Sequence, residues 1–281
     1  MKLIALIIVL MIAVMSVVAT VTPGSNAYKK SNPVAEIGKE IARPLSQVEQ
    51  IGPELNKVLD GAGVKLPGRN SKTSKADTRH AVQDFTGEVF ANMDLPRTNF
   101  ASSYVTDAQF NGALLDGASL EGASGEAVNF NGARMAKSNL NASMFPRSDF
   151  SGAELREAKA RAGDFSGALF VDADFSFSSF AGANLSKTDF RAGYGAGASF
   201  VGANASDARF DGADLTGVRF VSATLDKATF AGADLKAVDF AGARLHGADL
   251  SAAVNLTAEQ LADACVSGDT KLPEGIAAPR C

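Results

Sequence analysis

Ala208-Arg209-Phe210-Asp211-Gly212-Ala213-Asp214-Leu215-Thr216-Gly217-Val218-Arg219-Phe220 holds the rule on which the chain is built. Every fifth residue is large and apolar (Phe210, Leu215, Phe220), and two places before each stands a small one (Ala208, Ala213, Val218). Extended in both directions, the rule covers 34 positions from Phe85 to Leu250, and all but Gly125, Ala160, Gly195 and Ala205 are bulky and apolar. From Thr98 to Ala248 the small place is filled 31 times in succession by Ala, Ser, Thr, Gly or Val. Asp or Asn often stands between the two, as at Asp174, Asn184, Asp214 and Asp234. Gly often follows two after the bulky residue, as at Gly152, Gly182, Gly212 and Gly232.

A period of five suits neither a helix, which repeats at 3.6, nor a strand, which repeats at 2.0. A fixed period sustained without insertion is the mark of a solenoid. One large and one small residue per five must point inward, the large one filling the axis and the small one letting backbone pass close beside it. Gly relieves the turn that follows. The first three units are irregular, with Gln83, Glu88 and Met93 in the small-residue places.

Ala183-Asn184-Leu185-Ser186-Lys187, Ala213-Asp214-Leu215-Thr216-Gly217 and Ala233-Asp234-Leu235-Lys236-Ala237 resemble the unit of pentapeptide-repeat proteins over residues 81–255. The resemblance implies an all-β fold, a right-handed quadrilateral β-helix in which four units close one coil of twenty residues. On that implication 34 units make eight and a half coils, a stack roughly 40 Å tall at a strand spacing of ~4.8 Å. Residues twenty apart then lie above one another. Phe90, Phe110, Phe130, Phe150, Phe170, Phe190, Phe210 and Phe230 should form a single inner ladder. That accounts for 18 Phe beside 3 Tyr and no Trp without any cofactor.

The ends differ from the middle. Lys2 precedes an apolar run from Leu3 to Val21. Within residues 1–27 this reads as a secretory signal, cleaved after Ala19 or Ala27, or as a retained membrane anchor. Either reading takes the protein out of the cytoplasm, to the periplasm, the medium or the outer side of the inner membrane, and any membrane contact is through this segment if uncleaved. Residues 28–80 carry ten Lys/Arg and six Asp/Glu and an apolar pattern broken by Pro44 and Pro53. They are expected to form short amphipathic helices that cover the N-terminal end of the solenoid, followed by a polar linker. In residues 256–281 the register is lost. Thr257-Ala258-Glu259-Gln260 matches a capping box, and a short helix over 257–265 is expected to close the C-terminal end. Cys265 and Cys281, the only cysteines, are candidates for one disulfide in an exported protein, with free thiols as the alternative.

Chemistry has little to work with. A net charge of -4 is too small to argue for nucleic-acid binding or an acidic tail, and no nucleic-acid partner is expected. Two Cys and two His leave little for a metal cluster. His80 and His246 have no partner visible in the sequence, and no Ser-His-Asp arrangement is present. Paired carboxylates such as Asp172/Asp174 and Asp211/Asp214 fit acid–base work, but fit better the habit of Asp and Asn of bonding local backbone at turns. No catalytic, cofactor or metal residue is therefore expected, and the protein is read as non-enzymatic. On the outside, Ala181, Val201, Val221 and Ala241 line up twenty apart as an apolar stripe, a candidate surface for a homodimer or a protein partner. The reading favoured is a structural or protein-interaction scaffold of the bacterial periplasm or envelope. The alternative, implied by the resemblance, is a DNA mimic that binds a type II topoisomerase such as DNA gyrase. The repeat region holds 21 Asp/Glu against 14 Lys/Arg, less acidic than a duplex mimic calls for.

Overall fold

A computed structural model of the chain describes residues 83–281. From Asp84↔Tyr104 to Asp234↔Val254, every fifth residue pairs in parallel with the residue twenty further on. Four pentads therefore close one coil, and the coils stack as a quadrilateral β-helix. Each strand is reduced to a single bridged residue because a corner follows at once. The ladder runs both ways between coils: the Phe90 amide donates to the Gln109 carbonyl (2.7 Å), and the Gln109 amide donates back to the Glu88 carbonyl (2.9 Å).

All but two of the corners close by the same bond, the exceptions being those after Gly125, where the Val128 amide donates to Ser148 Oγ instead, and Ala160. The amide three residues after the bulky residue donates to its carbonyl, as Ala153 does to Phe150 (3.0 Å). Every fifth residue from Gly87 to Gly247 has positive φ, the signature of a type II turn. Fifteen of these are Gly and eighteen are not, among them Ala142, Ala162 and Phe177. An L-residue in that region costs ~1–2 kcal/mol relative to the right-handed conformation. Bonding on both sides of each corner holds the turn in spite of that cost.

The axis is a buried column of rings. All seven consecutive pairs from Phe90 to Phe230 are stacked, with centroids 4.7–5.2 Å apart and interplanar angles of 2–17°. The ring spacing equals the coil spacing, so aromatic stacking and backbone pairing are satisfied by one geometry. Burial of each ring contributes ~1.5–3 kcal/mol. A second column, Phe180, Phe200, Phe220 and Phe240, faces it with centroids 5.0–5.6 Å apart.

Two small axial residues are compensated by neighbours. A Cβ at Gly195 would lie 2.1 Å from the Phe175 ring, and one at Gly193 2.7 Å from it. Phe175 occupies a ladder otherwise made of Leu and Met (Leu95, Leu115, Met135, Leu155, Leu215, Leu235), so one Phe and one Gly fill the room of two aliphatic residues. At Gly125 the added atom would meet Val128, a branched residue in a small-residue place, at 2.8 Å, and the Val105 backbone at 2.7 Å. The irregular start shows its cost as exposure: Gln83, Glu88 and Met93 all face solvent, although the turns at Glu88 and Met93 still close.

The C-terminal end departs from expectation. No helix spans 257–265; there is only a three-residue 3-10 turn, Glu259–Leu261. The backbone beyond it is already committed to the coil. Gly242 donates to the Asp263 carbonyl, Leu245 to Cys265 and Leu250 to Lys271, while the Cys265 and Lys271 amides donate back to Ala243 and Ala248. The chain therefore continues as a looser last coil, with bridges Arg244↔Cys265 and Asp249↔Lys271. Half of the capping box forms: the Thr257 amide donates to Gln260 Oε1 (2.9 Å), but no side chain caps the turn, whose N-cap is Ala258. Gln260 Nε2 instead donates to the Leu235 and Val238 carbonyls (2.8 and 2.9 Å), supplying the donor that a further coil would have given. The expected N-terminal helical cap, the leader and the linker lie outside the described residues. Among the described residues no helix is long and apolar enough to cross a membrane.

Candidate functional site

The carboxylates on the outside are occupied by the fold. In fourteen units an Asp or Asn oxygen accepts the amide two residues on, at 2.8–3.2 Å. Asp174 and Asp214, each singled out as half of an acidic pair, bond Ser176 and Thr216 in this way. Asp211 accepts the amide of Ala231 in the next coil (3.0 Å). Such Asx turns replace water at the corner amides.

Arginines answer the remaining charge across coils. Arg134 reaches Asp116 (2.6 Å) and Glu154 (3.8 Å), Arg244 reaches Asp226 (2.6 Å), and Arg147 pairs with Glu126. Asp189 is the most enclosed acid, 7% exposed. Burial alone would raise its pKa, but the Arg191 fork (2.7–2.9 Å) and the charges of Arg191 and Arg209 hold it below the ordinary value of 3.8. Asp249 is lowered by the Ser251 hydroxyl and by Lys271 (2.9 Å).

Ala181, Val201, Val221 and Ala241 are each half-buried and stand one above another at one corner. Their carbonyls accept the amides of Ala162, Gly182, Gly202 and Ser222 (2.9 Å each), and the Ala241 amide donates to Asp239 (3.0 Å). The neighbouring corner carries Phe177, 62% exposed, whose ring lies against Gly197.

The residues with the most chemistry meet at the C-terminal end. Cys265 and Cys281 are joined as a disulfide, with Cα atoms 5.3 Å apart. His246 Nε2 stands 3.1 Å from the Cys265 sulfur and 3.3 Å from the Cys281 sulfur. Sequence reading left His246 without a partner. The coil register brings it close, because the one-residue stretch of the last coil seats Cys265 above Arg244, two residues along the chain from His246. Each of the three is held by its backbone: His246 accepts the Lys227 amide (2.8 Å), Cys265 is bonded both ways to the coil below, and Cys281 donates to Val266 (3.4 Å) beside the bridge Val266↔Arg280. Asp269 lies near; the Ser267 hydroxyl lowers its pKa most, and His246 adds to the effect. A signal for this cluster existed in the twenty-residue spacing, but only once the slip in the last coil was known.

A search of curated proteins finds no relative. Among solved structures, a trypsin-treated form of QnrB1, a plasmid-mediated fluoroquinolone resistance protein, is 19% identical. It covers 69% of this chain and 90% of its own, with a TM-score of 0.46. HetL, a pentapeptide repeat protein involved in heterocyst differentiation regulation from the cyanobacterium Nostoc, is 20% identical, covering 70% and 88%, with a TM-score of 0.30. The family model described as pentapeptide repeats matches in 8 copies, spanning 106–192 and 196–254, just over half of the chain. With the five-residue period, the twenty-residue coil and the Phe ladder already in place, the chain belongs to the pentapeptide-repeat family.

Proposed function

We propose that the protein is a non-enzymatic interaction scaffold, exported to the periplasm or cell envelope, that offers one side of its β-helix to a protein partner. One observation carries the reading: Ala181, Val201, Val221 and Ala241 stand above one another as an apolar stripe on one corner, while many Asp and Asn side chains are taken up in holding corners and several Arg in pairing coils. Phe177 and the stripe of Ala181, Val201, Val221 and Ala241 stand on neighbouring corners and give that side its apolar groups, while Tyr104, Met144, Leu169 and Tyr194 stand exposed on other faces. The flat face between Phe177 and the stripe presents Ser179 and Ser199, with Lys159 and Arg219 in the coils on either side. Export rests on the apolar run from Leu3 to Val21 behind Lys2. The cross-coil pairing of Arg with Asp and Glu breaks up negative charge and disfavours mimicry of a DNA duplex, which needs an unbroken acidic track.

Two experiments test this. A C-terminal alkaline phosphatase fusion is expected to be active, since that enzyme folds only after export; an inactive fusion rejects export and revives the mimic. Capture of envelope proteins on the full chain is expected to yield a partner that the Val201→Lys/Val221→Lys variant loses. Equal capture by both removes the stripe from the proposal. A second copy as the occupant would show as a dimer mass in solution that the same variant reduces to a monomer.

A further inference from the structure

We propose that His246, Cys265 and Cys281 form a binding site for one thiophilic metal ion, of the Zn2+ or Cu+ class, when the cysteines are reduced. Disulfide and metal would be alternative staples for the same cap. Two thiolates and an imidazole are a donor set suited to such ions, and the three donor atoms lie within 4.8 Å of one another. In a tetrahedral zinc centre, with Zn–S of ~2.3 Å and Zn–N of ~2.0 Å, the nitrogen-to-sulfur edges come to roughly 3.5 Å. Nε2 already stands 3.1 and 3.3 Å from the two sulfurs. Only the sulfur–sulfur edge has to open, to roughly 3.8 Å, and with Cα atoms 5.3 Å apart side-chain rotation can open it.

The donors are organised before any metal arrives. The backbones of His246 and Cys265 are fixed by the ladder to neighbouring coils, and Cys281 follows the bridge Val266↔Arg280. Reduction therefore does not have to scatter them. Cys281 is exposed and the other two are half-buried, which leaves an open side for entry and for a water ligand. The chemistry balances as follows. A dithiol reductant supplies two electrons and two protons, leaving as its own disulfide, and Cys265 and Cys281 become thiols. A divalent ion then displaces both thiol protons to solvent as the two metal–sulfur bonds form, while neutral His246 donates its Nε2 lone pair.

The test uses the full chain, reduced with a phosphine, desalted without oxygen and titrated with Co2+ and then Zn2+. The expected result is one equivalent of Co2+ with a thiolate-to-cobalt charge-transfer band and the intense visible bands of a tetrahedral centre. Zn2+ should displace it with a dissociation constant below about 1 μM. The oxidised protein should be silent. His246→Ala should weaken binding roughly tenfold or more, with an unchanged circular dichroism spectrum. Zn2+ should also protect both thiols of the reduced chain from alkylation, a readout that does not depend on any variant. The proposal is overturned if the reduced chain binds Zn2+ no better than the Cys265→Ser/Cys281→Ser variant, or if His246→Ala binds as tightly as the parent.

Discussion

The exchange of volume between Phe175 and Gly195 yields the sharpest prediction about the core. Gly195→Leu alone places a side chain where the Phe175 ring already lies 2.1 Å from the first added carbon. Overpacking of this kind costs ~1–3 kcal/mol and more where backbone cannot move, and here the backbone is pinned to the coils on both sides. Gly195→Leu should therefore cost about 3 kcal/mol or more. Phe175→Leu alone withdraws the ring and leaves a void beside Gly193 and Gly195. Lost burial plus the cavity should cost about 2 kcal/mol. The double variant rebuilds the Leu-over-Leu stacking seen elsewhere in this ladder. It should recover more than half of the combined loss, giving a coupling energy of about 3 kcal/mol in favour of the pair. Denaturant titration of the four proteins, compared at constant m, measures it. If the two single effects add to within about 0.5 kcal/mol, the rings and glycines do not share space and the reasoning fails.

Other perturbations read different parts of the structure. The Ser138 hydroxyl is buried without a hydrogen-bond partner, so Ser138→Ala, the commonest residue of that place, should raise stability by about 1 kcal/mol; a loss of that size in the denaturation midpoint would contradict it. Gly152 has φ +65° and nothing within 4 Å of an added Cβ, so Gly152→Ala should cost about 1 kcal/mol through conformation alone, and Gly152→Val clearly more. Gln260→Ala removes a donor from the Leu235 carbonyl and the side-chain donor of the Val238 carbonyl, and hydrogen exchange at the last coil should quicken while the Phe90–Phe230 coils keep their protection. Asp189 has a folded pKa below its ordinary 3.8. Its stabilisation is present above the unfolded pKa and is lost as pH falls through the folded value. Thermal midpoints should therefore hold between pH 7 and 5, drop below about pH 4, and drop less in Asp189→Asn.

The inward-facing half of the fold was legible because its rule is local and repeated. Which residues face in follows from size alone, and the Phe ladder needed only the number four to be added, which spacing does not supply. The roles of Asp174 and Asp214 were legible for the same reason: an Asx turn spans two residues and needs no knowledge of the fold. Interactions that depend on a break in the rule were hidden. Thr257 and Gln260 form half of the box they resemble, because the demand of the coil for backbone partners outweighs a short helix. His246 meets both cysteines because the last coil slips by one residue. Phe175 fills Gly195 from twenty residues away, a compensation that no five-residue pattern contains.

The claim beneath all of this is that residues twenty apart are vertical neighbours and residues ten apart are not. Cysteine pairs placed on exposed corners test it. Ala142→Cys/Ala162→Cys puts two thiols on adjacent coils, ~4.8 Å apart along the stack and within disulfide reach; Ala162→Cys/Asp172→Cys puts them on opposite corners. Mild oxidation should cross-link the first pair nearly completely and the second not at all. Equal cross-linking of the two, or the reverse order, would contradict the coil.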